Sequence, residues 1–261
     1  MNNTKINIRQ IALPTEHGAW GFVLEPLLLA LLVAYSLHGL MLSLCAFFMF
    51  LSYQPLRILF KKKNNNELNK YALIVFSVYV FLAAVFFFIT FSQSELIALT
   101  PFVLSVIIML IYLIILYRQK NRELISELSA SFSISILTLS ILLFKGWQIK
   151  YVIAFLIVLL ARSIPTTFYV HTKLQMFKKK EFRNTLPMIS TYIFTGILFW
   201  TSMLGLTPYL TIAASLMLLV RSHIGIFYIK ENFKVVNFGI MEFVYGGLFI
   251  IITAVGYIFS V

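Results

Sequence analysis

The stretch that decides the fold is YALIVFSVYVFLAAVFFFITF, residues 71–91, which contains no charged side chain. An α-helix needs about 20 mostly apolar residues to cross the hydrocarbon core of a membrane, so this stretch predicts a transmembrane helix. The chain offers eight more runs of similar character on either side of it. The nine predicted spans cover approximately residues 18–37, 41–60, 71–91, 97–117, 126–144, 151–170, 186–204, 208–229 and 238–260. Residues 1–261 are therefore predicted to form a single all-α, multi-pass membrane domain.

The composition excludes several classes of function. Of the 261 residues, 61% are hydrophobic and only 11% are charged. All nine acidic residues are Glu, and the absence of Asp excludes an Asp-rich Mg²⁺ motif and a Ser-His-Asp triad. The single cysteine, Cys45, excludes an intrachain disulfide and a cysteine-based zinc site. We expect no bound metal, and the sequence indicates no particular cofactor.

Basic residues predict the orientation in the membrane, because cytoplasmic loops are enriched in Lys and Arg. Of the 21 Lys and Arg residues, Arg162 and Arg221 lie deep inside spans, and only Lys145 and Lys150 lie between spans 5 and 6. The others precede span 1, lie at the inner end of span 2 (Arg57) or follow spans 2, 4, 6 and 8. The N-terminus is therefore predicted to be cytoplasmic and the C-terminus to lie outside. This asymmetry and anionic lipid headgroups account for the net charge of +12, so we expect no binding of nucleic acid.

We expect the first apolar run to be a membrane span and not a cleaved signal peptide, because it is long and eight more spans follow it.

Four side chains are the clear cases of a charge inside the predicted spans, where a charge is costly and marks either function or a structural ion pair. They are Glu25, Arg162, Arg221 and Glu242. On the predicted topology all four lie in the cytoplasmic half of the membrane. Glu25, for example, lies about seven residues past the inner end of span 1, which corresponds to a depth of roughly 10 Å.

The two arginines occur in similar segments. LLARSIPTTFYV at residues 159–170 and LLVRSHIGIFYI at residues 218–229 share the pattern Leu-Leu-x-Arg-Ser-x₄-Phe-Tyr. The similarity predicts an internal repeat of a helix hairpin, with one arginine in each copy. Helical periodicity places two sets of residues on two faces: Arg162, Thr166, Tyr169 and Lys173 on span 6, and Arg221, Gly225, Tyr228 and Asn232 on span 8.

Two interpretations of these charges stay open from the sequence. In the first, they are two neutralising ion pairs that hold helices together. In the second, they line a cytoplasm-facing pocket that binds an anionic group through the planar fork of arginine. The residues predicted to bind the ligand in that pocket are Arg162, Arg221, Tyr169, Tyr228, Lys173, Thr166, Arg57 and Glu242. The candidates for acid–base roles are Glu25, Glu16 and His17.

The segment Pro14-Thr-Glu-His-Gly-Ala-Trp-Gly21, followed by Leu24-Glu25-Pro26-Leu27, resembles the opening signature of the bacterial YwiC-like membrane proteins. The segment Tyr53-Gln54-Pro55-Leu56 and the stretch from Arg162 to Val170 also resemble that family. The resemblance extends over nearly the whole chain. It implies a location in the inner membrane of a bacterial cell and implies no specific reaction.

The predicted architecture is also similar, more distantly, to the UbiA-type intramembrane prenyltransferases. Those enzymes have nine helices and carry Asp-rich motifs near the loops after spans 2 and 6, where Mg²⁺ and a prenyl diphosphate are held. In this chain the corresponding stretches run from Tyr53 to Arg57 and from Tyr169 to Lys173, and both lack carboxylates. The resemblance implies a UbiA-like helical bundle. If the protein is an enzyme, it implies a transferase for a prenyl or lipid substrate that works without Asp-held Mg²⁺.

Three functions are consistent with this sequence. The first is binding of an amphiphile, an isoprenoid or another membrane lipid, with its anionic head among Arg162, Arg221 and Lys173. The second is a proton-coupled carrier of a small anion, in which Glu25 or Glu242 exchanges protons. The third is a non-catalytic membrane subunit whose charges are structural. The sequence identifies no protein partner.

Overall fold

The structure is a computed structural model that describes residues 8–14, 17–60, 66–92, 96–118, 124–178, 184–228 and 235–260. Within these ranges the chain forms α-helices and a short 3₁₀ helix at Leu96–Leu99, without any strand. The α-helices are α1 (Ile8–Ala12), α2 (His17–Val33), α3 (Leu37–Phe60), α4 (Asn66–Phe91), α5 (Thr100–Arg118), α6 (Leu124–Phe144), α7 (Ile149–Phe177), α8 (Thr185–Met203), α9 (Leu210–Phe227) and α10 (Val235–Phe259). Each predicted span coincides with one of the helices α2 to α10.

The composition and the surface of these helices are those of a membrane protein. In the described residues, seven helices are long and apolar enough to cross a membrane, namely α3, α4, α6, α7, α8, α9 and α10. Shorter apolar helical segments occur at Trp20–Val33 and Leu96–Ile111. Helix α4 leaves Phe81 and Phe88 about two-thirds exposed, as expected for side chains covered by lipid. The prediction of an all-helical, multi-pass membrane protein is confirmed.

Helices that follow one another along the chain pack together, as in the pairs α3–α4, α5–α6, α7–α8 and α8–α9. Helix α10 packs against α9, α7 and α2, and α2 also packs against α6. The apolar core lies between these helices, where Leu29, Leu142, Phe155 and Phe249 are fully buried. The first and last long helices therefore meet in the interior of the bundle, and this contact positions the charged residues.

Four helix boundaries differ from the predicted spans by four residues or more, namely the end of α2, the starts of α3 and α4 and the end of α7. Helix α3 begins at Leu37, before the predicted start at residue 41, because the Ser36 hydroxyl accepts a hydrogen bond of 3.0 Å from the Gly39 N–H and caps the helix. Helix α7 continues to Phe177, beyond the predicted end of the span at residue 170. Lys173 is therefore helical, because hydropathy marks the thickness of the apolar core and not the end of backbone hydrogen bonding.

The turns that end α6 and α8 have the same geometry. Gly146 and Gly205 adopt the left-handed conformation, with φ of +80° and +68°. In the first turn the Trp147 N–H donates to the Leu142 carbonyl at 3.1 Å, and in the second the Leu206 N–H donates to the Thr201 carbonyl at 2.9 Å. This is the Schellman pattern of helix termination.

The two turns are separated by the same distance along the chain as the two arginines. From Gly146 to Gly205 is 59 positions, and from Arg162 to Arg221 is also 59. The ends of α6 and α8, at residues 144 and 203, keep this offset. The shared offset of turns, helix ends and arginines supports the predicted repeat, which comprises the hairpins α6–α7 and α8–α9.

Replacing Gly205 by Ala should destabilise the protein, because a side chain at φ of +68° strains the turn. We expect a cost of about 1–2 kcal/mol, measured as a lower midpoint of thermal unfolding in detergent. Gly196→Ala is the matched control, since Gly196 lies within α8 and nothing lies within 4 Å of an added Cβ. Equal midpoints for the two variants would contradict the role of Gly205 in the turn.

Candidate functional site

The four intramembrane charges form two ion pairs, and each pair joins two different helices. Arg162 of α7 pairs with Glu25 of α2, and Arg221 of α9 pairs with Glu242 of α10. Both arginines are almost completely buried, with 6% and 3% of their surface exposed. A charge at such a position needs a partner, because the low dielectric of the interior makes an isolated ion costly.

Arg162 has partners on both of its Nη groups, and its Nε makes an ion contact without a hydrogen bond among the described residues. Its Nε lies 2.9 Å from Glu25 Oε2, and its Nη2 donates to Glu25 Oε1 at 3.0 Å. The Nη1 group donates to the Thr166 hydroxyl one helical turn further on, and Nη2 also reaches the Glu242 carbonyl oxygen at 3.4 Å. The side-on edge of this guanidinium, formed by Nε and Nη2, thus faces both oxygens of the Glu25 carboxylate, with a hydrogen bond from Nη2 and an ion contact at Nε.

Glycines make room for the Glu25 carboxylate. A Cβ added at Gly246 of α10 would collide with Glu25 Oε1 and lie 2.9 Å from Arg162 Nη2. On its own helix, a Cβ added at Gly21 would lie 3.1 Å from the same oxygen. The backbone of α10 can therefore lie close to the pair of Glu25 and Arg162 because residue 246 is a glycine. Gly246 lies one helical turn after Glu242 on α10.

Arg221 has fewer partners than Arg162. Its Nη1 donates to Glu242 Oε2 at 2.7 Å, and its guanidinium carbon lies 4.3 Å from the centre of the Tyr169 ring, within cation–π range. Its Nε and Nη2 atoms are buried, and neither has a hydrogen-bond partner among the described residues. These two atoms form the side-on edge of the guanidinium, so the edge that Arg162 offers to Glu25 is unfilled on Arg221.

Tyr169 reaches Arg221 because residue 225 is a glycine. A Cβ at Gly225 would collide with the Tyr169 hydroxyl and ring. In the repeat, Gly225 corresponds to Thr166, the residue that hydrogen-bonds Arg162. The two copies of the repeat thus differ at the position one turn after the arginine, and the difference admits an aromatic ring beside Arg221.

Lys173 is a third buried cation, 7% exposed, on the same helix as Arg162. Its Nζ donates to the Gly225 carbonyl oxygen at 2.6 Å. Helix α9 ends at Phe227, so this carbonyl belongs to the last turn, whose acceptors lack partners within the helix. Among the residues that the structure describes, Lys173 has no carboxylate partner.

The structure brings together most of the predicted site. The residues in mutual contact, directly or through one neighbour, are Glu25, Arg162, Thr166, Tyr169, Lys173, Arg221 and Glu242. Tyr228 is not brought in: α9 ends one residue before it and the side chain is 81% exposed. Arg57 lies half-buried in the last turn of α3, a helix that supplies none of these contacts. Glu16 and the side chain of His17 lie outside the described residues.

Two residues that contact the charged cluster, Gly246 and Tyr245, were not predicted from the sequence. Gly246 could have been found, because it follows Glu242 by four residues on a predicted span, as Gly21 precedes Glu25 by four. Tyr245, whose ring centre lies 5.9 Å from the Arg221 guanidinium carbon, carried no signal that distinguishes it from the other tyrosines. His223, two residues after Arg221, contacts Tyr192 of α8, with 3.1 Å between its Nε2 and the tyrosine hydroxyl. In the described part of the chain no cluster of His, Cys, Asp or Glu could hold a metal ion.

The fold and this cluster define a polytopic, all-helical membrane protein with two ion pairs buried between its helices. Residues 13–142 match the family model of the YwiC-like proteins, and the chain belongs to the YwiC-like family. The matched region contains Glu25 and ends before α7, so Arg162, Arg221 and Glu242 lie beyond it. No match was found among curated proteins or among solved structures.

Gly246→Ala should weaken the contact between Glu25 and Arg162, because the added methyl group occupies the position of Glu25 Oε1. We expect a loss of about 1–3 kcal/mol, the usual cost of overpacking a filled interior, read from thermal unfolding in detergent. The adjacent Gly247 is the control, since nothing lies within 4 Å of an added Cβ there. If Gly247→Ala lowers the midpoint as much as Gly246→Ala does, the close approach at Gly246 is not what matters.

Proposed function

We propose that this protein binds a membrane amphiphile, an isoprenoid or another lipid, by an anionic headgroup at Arg221. The observation that carries the proposal is the unfilled edge of Arg221, whose Nε and Nη2 are buried without partners among the described residues. A buried donor without an acceptor is costly, and the cost is removed when an anion binds. Arg221 is held in place for this role by Glu242 on one side and by the Tyr169 ring on its face.

The charge of the cluster also favours an anion. Its described members comprise three cations, Arg162, Arg221 and Lys173, and two carboxylates, Glu25 and Glu242. The cluster therefore carries an excess of one positive charge, which the end of α9 beside Lys173 offsets only in part. An anionic ligand would neutralise the excess without any change in the ion pairs already present.

The surroundings of Arg221 suit a ligand with an apolar tail. Val220 and Ile224, close to Arg221 on α9, are each 53% exposed, and Phe243 and Val244, next to Glu242 on α10, are also more than half exposed. These side chains face the lipid in a membrane-embedded bundle. A headgroup at Arg221 could thus keep its tail along the outer surface of α9 and α10, once the side chains that cover Arg221 move aside.

We also propose the finer topology: nine crossings, a cytoplasmic N-terminus and a UbiA-like arrangement of the helices in a bacterial inner membrane. The support is the distribution of basic residues, with Lys145 and Lys150 alone predicted on the outer side. On this topology Lys173 and Arg221 lie near the cytoplasmic surface, so the headgroup would enter from the inner leaflet. The UbiA-like arrangement would provide a lipid-accessible cavity without metal-binding carboxylates.

The orientation is testable by cysteine labelling in a Cys45→Ser background, which removes the single native thiol. Lys150→Cys should react with a membrane-impermeant maleimide added to intact cells, because Lys150 begins α7 on the proposed outer side. Lys178→Cys, at the other end of α7, should react only after the cells are opened. The reverse pattern would overturn the proposed orientation.

The binding proposal is tested by mass spectrometry of the lipids retained by the purified protein. Arg221→Met with Glu242→Gln removes the Arg221 site and both charges of one pair together, which avoids leaving a buried charge unpaired. We expect this double variant to lose the retained anionic amphiphile. Arg162→Met with Glu25→Gln is the matched control, which removes the other pair and should retain the ligand.

The same variants separate this proposal from the alternatives. If neither double variant changes lipid retention and both only lower the midpoint of unfolding, the charges are structural and the binding proposal is wrong. A pH-driven anion flux in proteoliposomes that disappears in Glu25→Gln would instead identify a proton-coupled carrier.

A further inference from the structure

We infer that the headgroup bound at Arg221 is singly charged and presents two oxygens side by side, as a carboxylate or a phosphodiester does. The inference rests on the binding at Arg221 proposed above and specifies the chemistry of the ligand. It excludes a diphosphate headgroup as the preferred ligand of this site.

The internal repeat provides the geometric argument. In the first copy, the side-on edge of Arg162 is occupied by the two oxygens of Glu25. In the second copy, 59 positions later, the Nη1 group of Arg221 donates to Glu242. Its Nε and Nη2 atoms have no hydrogen-bond partner among the described residues. A ligand at Arg221 must therefore place two oxygens opposite Nε and Nη2, as Glu25 does at Arg162. A group with two adjacent oxygens and one shared negative charge satisfies that requirement.

The orientation of the Arg221 edge is set before any ligand binds. Glu242 fixes Nη1 at 2.7 Å, and Tyr169 covers one face of the guanidinium at 4.3 Å. Rotation of the guanidinium would break the first contact and move the group off the Tyr169 ring. The two free donors therefore remain parallel in one plane, and bidentate recognition depends on this arrangement.

Charge excludes the more highly charged headgroups. The described cluster has three cations and two carboxylates, so one negative charge on the ligand makes it neutral. A diphosphate carries several negative charges, and those in excess would be buried at 3% exposure beside Glu242 without a cation to balance them. Burying uncompensated charge is strongly unfavourable, so a diphosphate should bind more weakly than a monoanion of the same chain length.

The test measures the affinity of the detergent-purified, full-length protein for a matched set of amphiphiles. The probes are a long-chain fatty acid, phosphatidylglycerol, a prenyl diphosphate and an uncharged diacylglycerol, with acetate and dimethyl phosphate as tail-free anions. We expect the two monoanionic amphiphiles to bind at least about tenfold more tightly than the prenyl diphosphate and the diacylglycerol, the factor expected for a charge-assisted hydrogen bond.

Two conservative variants complete the experiment. Arg221→Lys keeps the charge opposite Glu242 and removes the planar edge, so it should weaken binding of the monoanions by at least about tenfold. Lys150→Arg makes an equally conservative change at the start of α7, outside the cluster, and it should leave the affinity unchanged.

The outcomes separate the two proposals. If the prenyl diphosphate binds most tightly and its binding is lost in Arg221→Lys, the site is correct and the monoanion inference is overturned. If no probe binds in a manner that depends on Arg221, the proposed function itself fails. If acetate or dimethyl phosphate binds as tightly as its long-chain counterpart, the headgroup chemistry holds and the amphiphilic ligand is wrong.

Discussion

The ion pair between Arg162 and Glu25 is the interaction at which three helices of the bundle, α2, α7 and α10, meet. It joins α7 to α2 through residues that are 137 positions apart, and Gly246 lets the backbone of α10 approach the Glu25 carboxylate. Three helices are thus held at one point by one carboxylate. Removal of one member of the pair alone leaves the other ion buried without its partner, at a cost of about 3–5 kcal/mol.

The second ion pair uses the same residue types in a less complete arrangement, and function is proposed to arise from this difference. Arg221 occupies the position of Arg162 in the repeated hairpin, but Glu242 engages only one of its nitrogens. Gly225 replaces Thr166 and admits Tyr169, so the ring takes the space that a hydrogen-bonding side chain fills in the first copy. The two arginines thus occupy equivalent positions in the predicted repeat, and the residues one turn after them, Thr166 and Gly225, give them different surroundings.

On the proposed function, the structural and the functional interpretations of the buried charges apply to different ends of one cluster. The Arg162 end is neutral, with Glu25 facing the guanidinium through both of its oxygens, which is what a structural ion pair requires. The Arg221 end retains two unpartnered donors and lies close to Lys173, the third buried cation, through Tyr169 and Gly225. The proposed lipid-binding role of one ion pair is compatible with a stabilising role of the other. Both pairs contact helix α10, which supplies Glu242 to the first and Gly246 to the second.

The sequence by itself determined the positions of the membrane helices, the four charges inside them and the 59-residue repeat, because hydropathy, charge and similarity are local properties of the chain. It did not determine which glutamate pairs with which arginine, since Glu25 and Arg162 are 137 positions apart and meet only through the packing of the bundle. The sequence predicted both Tyr169 and Tyr228 as ligand-binding residues. Helix α9 ends at Phe227, so of these two tyrosines only Tyr169 is buried in the bundle. Tertiary structure decided the difference between the two arginines, because a free edge on a guanidinium exists only relative to the groups packed around it.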